Sequence, residues 1–151
     1  MSAAMHVVCT QCGSINRIAA GKPACEGRCG KCGATLFTGQ PADVTGDGLD
    51  RQIARSDIPI VVDIWAAWCG PCRVMAPEYE AAARRLEPDF RFLKLDSEAE
   101  PAMASRLGIR GIPTMLLFHG GHEVARKSGA MPSSQISAWL RQHTGPGRVT
   151  A

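Results

Sequence analysis

Ile58-Pro59-Ile60-Val61-Val62-Asp63-Ile64-Trp65-Ala66-Ala67-Trp68-Cys69-Gly70-Pro71-Cys72 is the stretch that decides the fold. Residues 58–66 are a short, nearly continuous apolar run rich in β-branched side chains, which predicts a strand buried on both faces. Residues 69–86 place apolar and alanine positions at helical spacing, so a helix is expected to open at the cysteines, kinked by Pro77. Working outward, a short edge strand is expected around 43–45 and a helix over 49–55. Strands are expected over 90–95 and 114–119, with a helix over 99–107 between them. Gly120-Gly121 is a turn dipeptide, so 122–127 should return as a hairpin partner. Residues 132–143 read as a last helix with Pro132 near its first turn, and the tail as frayed. This order predicts an α/β fold: a central mixed sheet flanked by helices.

The cysteine pair carries the chemistry. A helix N-terminus offers unpaired N–H groups and the positive end of the dipole, which favours a thiolate at Cys69. A thiolate is the form that attacks a disulfide, and Cys72, one turn on, can then displace the product. Cys72 is expected to be the more buried and less acidic of the two. The competing reading, half of a metal site, usually has a second pair nearby and a glycine after the second cysteine; here Arg73 and a helix follow. Asp63 lies within the apolar strand. Buried there, it would hold a proton near neutral pH and could shuttle it for Cys72; at a strand end it would simply face water.

The other five cysteines crowd the first 32 residues. Cys9-Thr10-Gln11-Cys12-Gly13 and Cys29-Gly30-Lys31-Cys32-Gly33 are two knuckles separated by sixteen residues. Such turns let four thiolates meet one ion, which predicts a structural Zn2+ ribbon on Cys9, Cys12, Cys29 and Cys32. Metal would supply the stability that a segment with few large apolar groups lacks. Cys25 is surplus, either a free thiol or a replacement for one ligand. His6 is a ligand by type only. The expected organisation is a ribbon-like segment over 1–40, a catalytic domain over 41–144 joined through a linker at 40–48, and a tail over 145–151.

The 151 residues allow one core-bearing domain with a small appendage. The formal net charge of +3 counts thiols as neutral, and four zinc-bound thiolates would remove roughly two units of it. Neither a nucleic-acid nor a membrane partner is expected. Arg17, Lys22, Arg28 and Lys31 lack interleaved aromatics, and no apolar run approaches the roughly 20 residues of a bilayer span. The first residues do not read as a signal peptide, so the cytoplasm is the expected compartment.

Residues 65–72 resemble the active-site signature of the thioredoxin family, and the likeness extends over about 43–143. Asp63 corresponds to the family's buried carboxyl and Lys94 to its neighbouring lysine. Gly111-Ile112-Pro113-Thr114 corresponds to the loop with a cis proline, and Gly129-Ala130 to a small-residue loop that admits a substrate backbone. The resemblance implies a thioredoxin fold. It also implies that Pro113 faces Cys69, and that Trp68, Gly70, Pro71, Ile112, Gly129 and Ala130 form a flat apolar surface for an extended substrate strand. For Trp65 packing support is the expected role. Gly-Pro between the cysteines resembles reducing members, implying a monomeric protein-disulfide reductase recharged by an NADPH-dependent thioredoxin reductase, with no organic cofactor of its own. The ribbon ahead of the domain resembles the bacterial thioredoxin 2 group. Two competing readings are a redox- or zinc-responsive regulator and a binding module, each docking through the ribbon.

Overall fold

The computed structural model describes residues 4–144; the expected tail, 145–151, lies outside the described residues. A five-stranded sheet forms the centre, in the order β3 (Ala42–Asp43), β5 (Arg91–Asp96), β4 (Ile60–Trp65), β6 (Thr114–His119), β7 (His122–Ser128). β3, β5 and β4 run parallel, while β6 and β7 are antiparallel to their neighbours. The sheet is therefore mixed, as expected.

Side-chain alternation divides the core in two. Val61, Phe92, Met115 and Leu117 pack under α2 (Gly70–Leu86) and α4 (Ser133–Thr144). Ile60, Val62, Ile64, Leu93, Leu95 and Leu116 pack on the other face, with Leu49 of α1 (Gly46–Arg55) and Met103 of α3 (Pro101–Arg106). β4 has both faces covered, which is why its sequence is an unbroken apolar run. Thr45 caps α1 by accepting the Gly48 amide at 3.0 Å, so the stretch read as a linker ends in a helix start. Gly120 and Gly121 take positive φ, 63° and 83°, and close the β6–β7 hairpin. Pro77 lies inside α2, which continues to Leu86.

The N-terminal segment is built from two small hairpins. β1 (Met5–Val8) pairs antiparallel with β2 (Ile15–Ile18), and Arg28 bridges Thr35. Each hairpin tip is a knuckle. Gly13 N–H donates to the Cys9 carbonyl at 3.0 Å and Gly33 N–H to the Cys29 carbonyl at 2.9 Å. Both glycines sit near φ +80°, a region other residues rarely adopt.

This segment leans on the sheet. Val7, Ile18, Leu36 and Phe37 share an apolar cluster with Ile58, just before β4. Arg91, only 3% exposed, reaches into it from the start of β5. Its guanidinium donates to the Leu36 carbonyl at 2.8 Å and the Val8 carbonyl at 3.2 Å, lies 4.1 Å from the Phe37 ring centroid, and faces Glu87 at 3.9 Å. Gln52 of α1 also donates to Val8, at 3.1 Å. A guanidinium suits this place because one planar group can stack and donate in several directions at once. Replacing Arg91 with Met keeps much of the volume but strands the Leu36 carbonyl, leaves the Val8 carbonyl to Gln52 alone and takes the facing cation from the buried Glu87 carboxylate, at a cost of roughly 1–3 kcal/mol. The expected result is a lower unfolding midpoint and earlier proteolytic cutting within residues 4–40. Equal protection of that segment in both proteins would refute the staple.

Candidate active site and metal centre

Cys69 and Cys72 form a disulfide at the start of α2. Cys69 is the N-cap, and its sulfur accepts the Cys72 amide at 3.2 Å. This is the arrangement that stabilises a thiolate at Cys69 once the pair is reduced. The expected difference in burial between the two residues is absent, since Cys69 is 3% and Cys72 4% exposed. Cys69 is tucked against Ala66 and Ile112, and the bond to Cys72 holds both sulfurs at one depth.

Asp63 is 1% exposed, which rules out a water-facing strand end. Along β4 it is bracketed on one face by Val61, which packs in the core under α2, and Trp65, which packs against the cysteines. The carboxyl therefore lies beneath the helix carrying Cys72. Its Oδ1 has no hydrogen-bond partner. Burial raises its pKa from 3.8 to about 7, partly offset by the positive charge of Lys94. Lys94 pairs with Asp63 in register across β4 and β5 and places its Nζ 4.7 Å from the Trp65 ring centroid.

The Ile112–Pro113 peptide is cis, and the Ile112 carbonyl oxygen lies 3.8 Å from the Cys69 sulfur. Pro113 itself is buried. The Gly129 amide donates to the Pro113 carbonyl at 2.9 Å, so the loop carrying Gly129 and Ala130 is joined to the proline turn. Both residues are exposed, as is Pro71, while Gly70 and Ile112 are half-buried. Trp68 is 66% exposed, too open for core packing. A cavity of about 550 Å³ opens beside Cys69, walled by Trp68, Pro71 and Ile112 and, across from them, by Pro101 and Ile109. Sequence reasoning missed that second wall, which α3 and the turn after it supply. It also missed Val74, 68% exposed two residues beyond Cys72.

In the N-terminal segment the sulfurs of Cys9, Cys12, Cys29 and Cys32 all lie within 4.8 Å of one another. Cys9 is 3.7 Å from Cys32, and Cys12 is 3.5 Å from Cys29. The Gln11 amide donates to Cys9 and the Lys31 amide to Cys29, at 3.3 and 3.4 Å. Amides of Cys32 and Lys31, with the Asn16 side chain, draw the Cys29 thiol down to about 6. Against the pull of the Ala34 amide, burial and the neighbouring sulfurs push Cys32 up to about 11. The two shifts have different causes: amide donors hold Cys29 as a thiolate, while the neighbouring sulfurs keep the proton on Cys32, so the four crowded groups do not all ionise unaided. A divalent cation between them would remove the conflict, so the donor set suits a metal. Cys25 stands exposed outside this cluster, in a turn at Ala24–Glu26. His6 is turned to Asp57, with Nδ1 at 3.3 Å from its carboxylate.

The thioredoxin family profile matches residues 40–142. Thioredoxin C-3 of Corynebacterium nephridii is 38% identical over 138 residues, covering 91% of this chain and 94% of that protein, a longer match than the family profile alone. Thioredoxin 1 of Nostoc sp. is 39% identical over 102 residues, 68% of this chain and 95% of its own. Among solved structures, a mutant thioredoxin of Halobacterium salinarum superposes with a TM-score of 0.65 at 30% identity, covering 74% of this chain and 96% of that one.

Proposed function

The chain belongs to the thioredoxin family, a family of thiol–disulfide oxidoreductases, and from that premise we propose that it is a cytoplasmic protein-disulfide reductase with Cys69 as nucleophile and Cys72 as resolving thiol. The observation that carries this reading is the Cys69–Cys72 pair at a helix N-terminus above a buried, partnerless carboxyl.

In the reduced enzyme the Cys69 thiolate attacks one sulfur of a substrate disulfide. The substrate S–S bond breaks, one substrate thiolate leaves, and a mixed disulfide forms. Cys72 passes its proton to the Asp63 carboxylate and attacks the Cys69 sulfur. The second substrate thiolate leaves, and the proton returns to the departing thiol or to water. Two electrons have moved to the substrate, and Cys69–Cys72 is oxidised. A flavin-dependent thioredoxin reductase using NADPH restores the dithiol. Lys94 tempers the Asp63 charge. Trp68, Gly70, Pro71, Ile112, Pro113, Gly129 and Ala130 receive an extended substrate segment, in which backbone contacts allow broad specificity.

Insulin reduction coupled to NADPH oxidation through thioredoxin reductase tests this reading; no coupled turnover would sink it. A potential near that of oxidising relatives, about 150 mV above reducing ones, would reverse the direction assigned.

Cys9, Cys12, Cys29 and Cys32 are assigned to a structural Zn2+. Tetrahedral zinc at about 2.3 Å from each sulfur sets sulfurs about 3.8 Å apart, close to the spacings of Cys9 to Cys32 and Cys12 to Cys29. Held by these four sulfurs, an ion would neutralise the crowded thiolates and tie the two hairpin tips together. Purified protein is expected to carry one zinc per chain, and Cys12→Ser or Cys29→Ser to lose it while Cys25→Ser keeps it. Loss on Cys25→Ser would redraw the ligand set.

A further inference from the structure

Tyr79 is the only tyrosine in the chain and is fully buried. It shares the sheet-facing side of α2 with Cys72 and Met75. Its ring meets Phe92 edge-on at 5.2 Å. Its hydroxyl donates to the Leu93 carbonyl at 2.7 Å and lies 3.2 Å from the Val61 carbonyl. Leu93 precedes Lys94, and Val61 lies two residues before Asp63. One phenol thus touches both strands that carry the buried acid and its lysine, and it hangs from the helix that carries the resolving cysteine.

Packing alone does not call for that hydroxyl. A buried hydroxyl costs free energy unless it is bonded, and a phenylalanine ring would fill the same apolar layer. The bond makes the contact directional, because α2 can shift over the sheet only by breaking it. It also fills, with a bonded group, space where water could otherwise enter near the partnerless Asp63 Oδ1.

We propose that Tyr79 is a positioning residue for the resolving step, its hydroxyl pinning the helix of Cys72 to the strands of Asp63 and Lys94 and keeping the layer around the carboxyl dry. The proposal rests on the reading of Asp63 as proton carrier. The titratable groups whose charges couple to Asp63 are Lys94 on β5 and Tyr79 on α2, and Cys72 lies on the same buried side of α2 as Tyr79. Met115, its register partner on β6, carries no charge, and α4 contributes Ile136 and Leu140. Glu87 acts on the phenol from the far end of α2.

The test is an isotope-edited NMR titration of the Asp63 carboxyl in the oxidised full chain, alongside the pH profile of mixed-disulfide resolution in single turnover. In Tyr79→Phe, water reaching the carboxyl should stabilise its charge. Its midpoint is expected to fall by about half a pH unit, a roughly threefold loss of proton affinity, and the resolution profile to move with it. Tyr79→Leu should shift in the same direction. An unchanged or raised midpoint in Tyr79→Phe overturns the proposal even if the protein melts earlier, because a purely packing role moves stability alone. A shift confined to Tyr79→Leu overturns it too. Asp63→Asn resolving as fast as the parent would instead refute the proton-carrier role, a separate failure.

Discussion

Cys69→Ser is expected to abolish insulin reduction, and Cys72→Ser to convert the enzyme into a trap. Without the Cys69 sulfur no thiolate stands at the helix N-cap, and a serine hydroxyl at that place does not ionise at neutral pH. Turnover should fall roughly 10³-fold or more, as when a covalent nucleophile is removed elsewhere. Cys72→Ser leaves the first attack intact. The mixed disulfide then has no internal thiol to break it and must wait for an external one. Intact-mass analysis after mixing Cys72→Ser with a disulfide substrate should show a covalent adduct that dithiothreitol removes, and Cys69→Ser should show none. A reversed pattern would exchange the two roles. Similar adducts from both variants would mean that the equal burial of the two residues reflects equal access to substrate.

The catalytic layer was legible because its chemistry is local in the chain. A buried strand, a Cys-x-x-Cys pair and a helix follow one another within residues 58–86, and each is constrained by its neighbours. Burial of Asp63 was the reading its apolar neighbours favoured over a water-facing strand end, and the fold decides for it. The long cavity wall was not legible. Pro101 and Ile109 meet Trp68 only through the folded course of α3, and no spacing in the sequence records that meeting. The equal burial of Cys69 and Cys72, where Cys72 was expected to be the deeper, was not legible for a related reason: the Ile112–Pro113 turn covers Cys69 from about forty residues away.

The N-terminal segment divides the same way. Its four clustered cysteines were legible as two repeats of one turn, each with the glycine that a left-handed position needs. Its seat on the sheet was not. The only hint was a charge out of place, Arg91 amid Phe90, Phe92 and Leu93, and a lone arginine at a strand start ordinarily faces water. In the folded chain it is the group that satisfies carbonyls from both parts of the ribbon. The ribbon therefore meets the sheet where β4 and β5 begin, and the catalytic pair lies past the end of β4. A metal held there would support the scaffold without touching the reacting sulfurs.

Asp63 ties catalysis to stability, and the expected effect is large. The folded carboxyl keeps its proton to about pH 7, whereas unfolded it releases it near 3.8. Between those values the folded state binds more protons, so stability falls as pH rises through this window. Below about 3.8 both states are protonated and no cost appears; above about 7 the whole cost of a buried charge is present. A shift of about three units corresponds to about 4 kcal/mol at pH 8. Asp63→Asn removes the titration, so denaturant unfolding of the oxidised protein should find the variant more stable at pH 8 and nearly equal to the parent at pH 4. The same substitution should slow mixed-disulfide resolution on the order of 10²-fold, the low end of what a positioned general base contributes. Parallel stability curves for the two proteins across this range would show that Asp63 ionises freely in the fold. The carboxyl would then have no reason to sit unpartnered under α2, and the proton for Cys72 would have to go directly to water. A gain in stability together with a loss in rate is the result that identifies a charge kept in the core for its chemistry, at the expense of the fold that holds it.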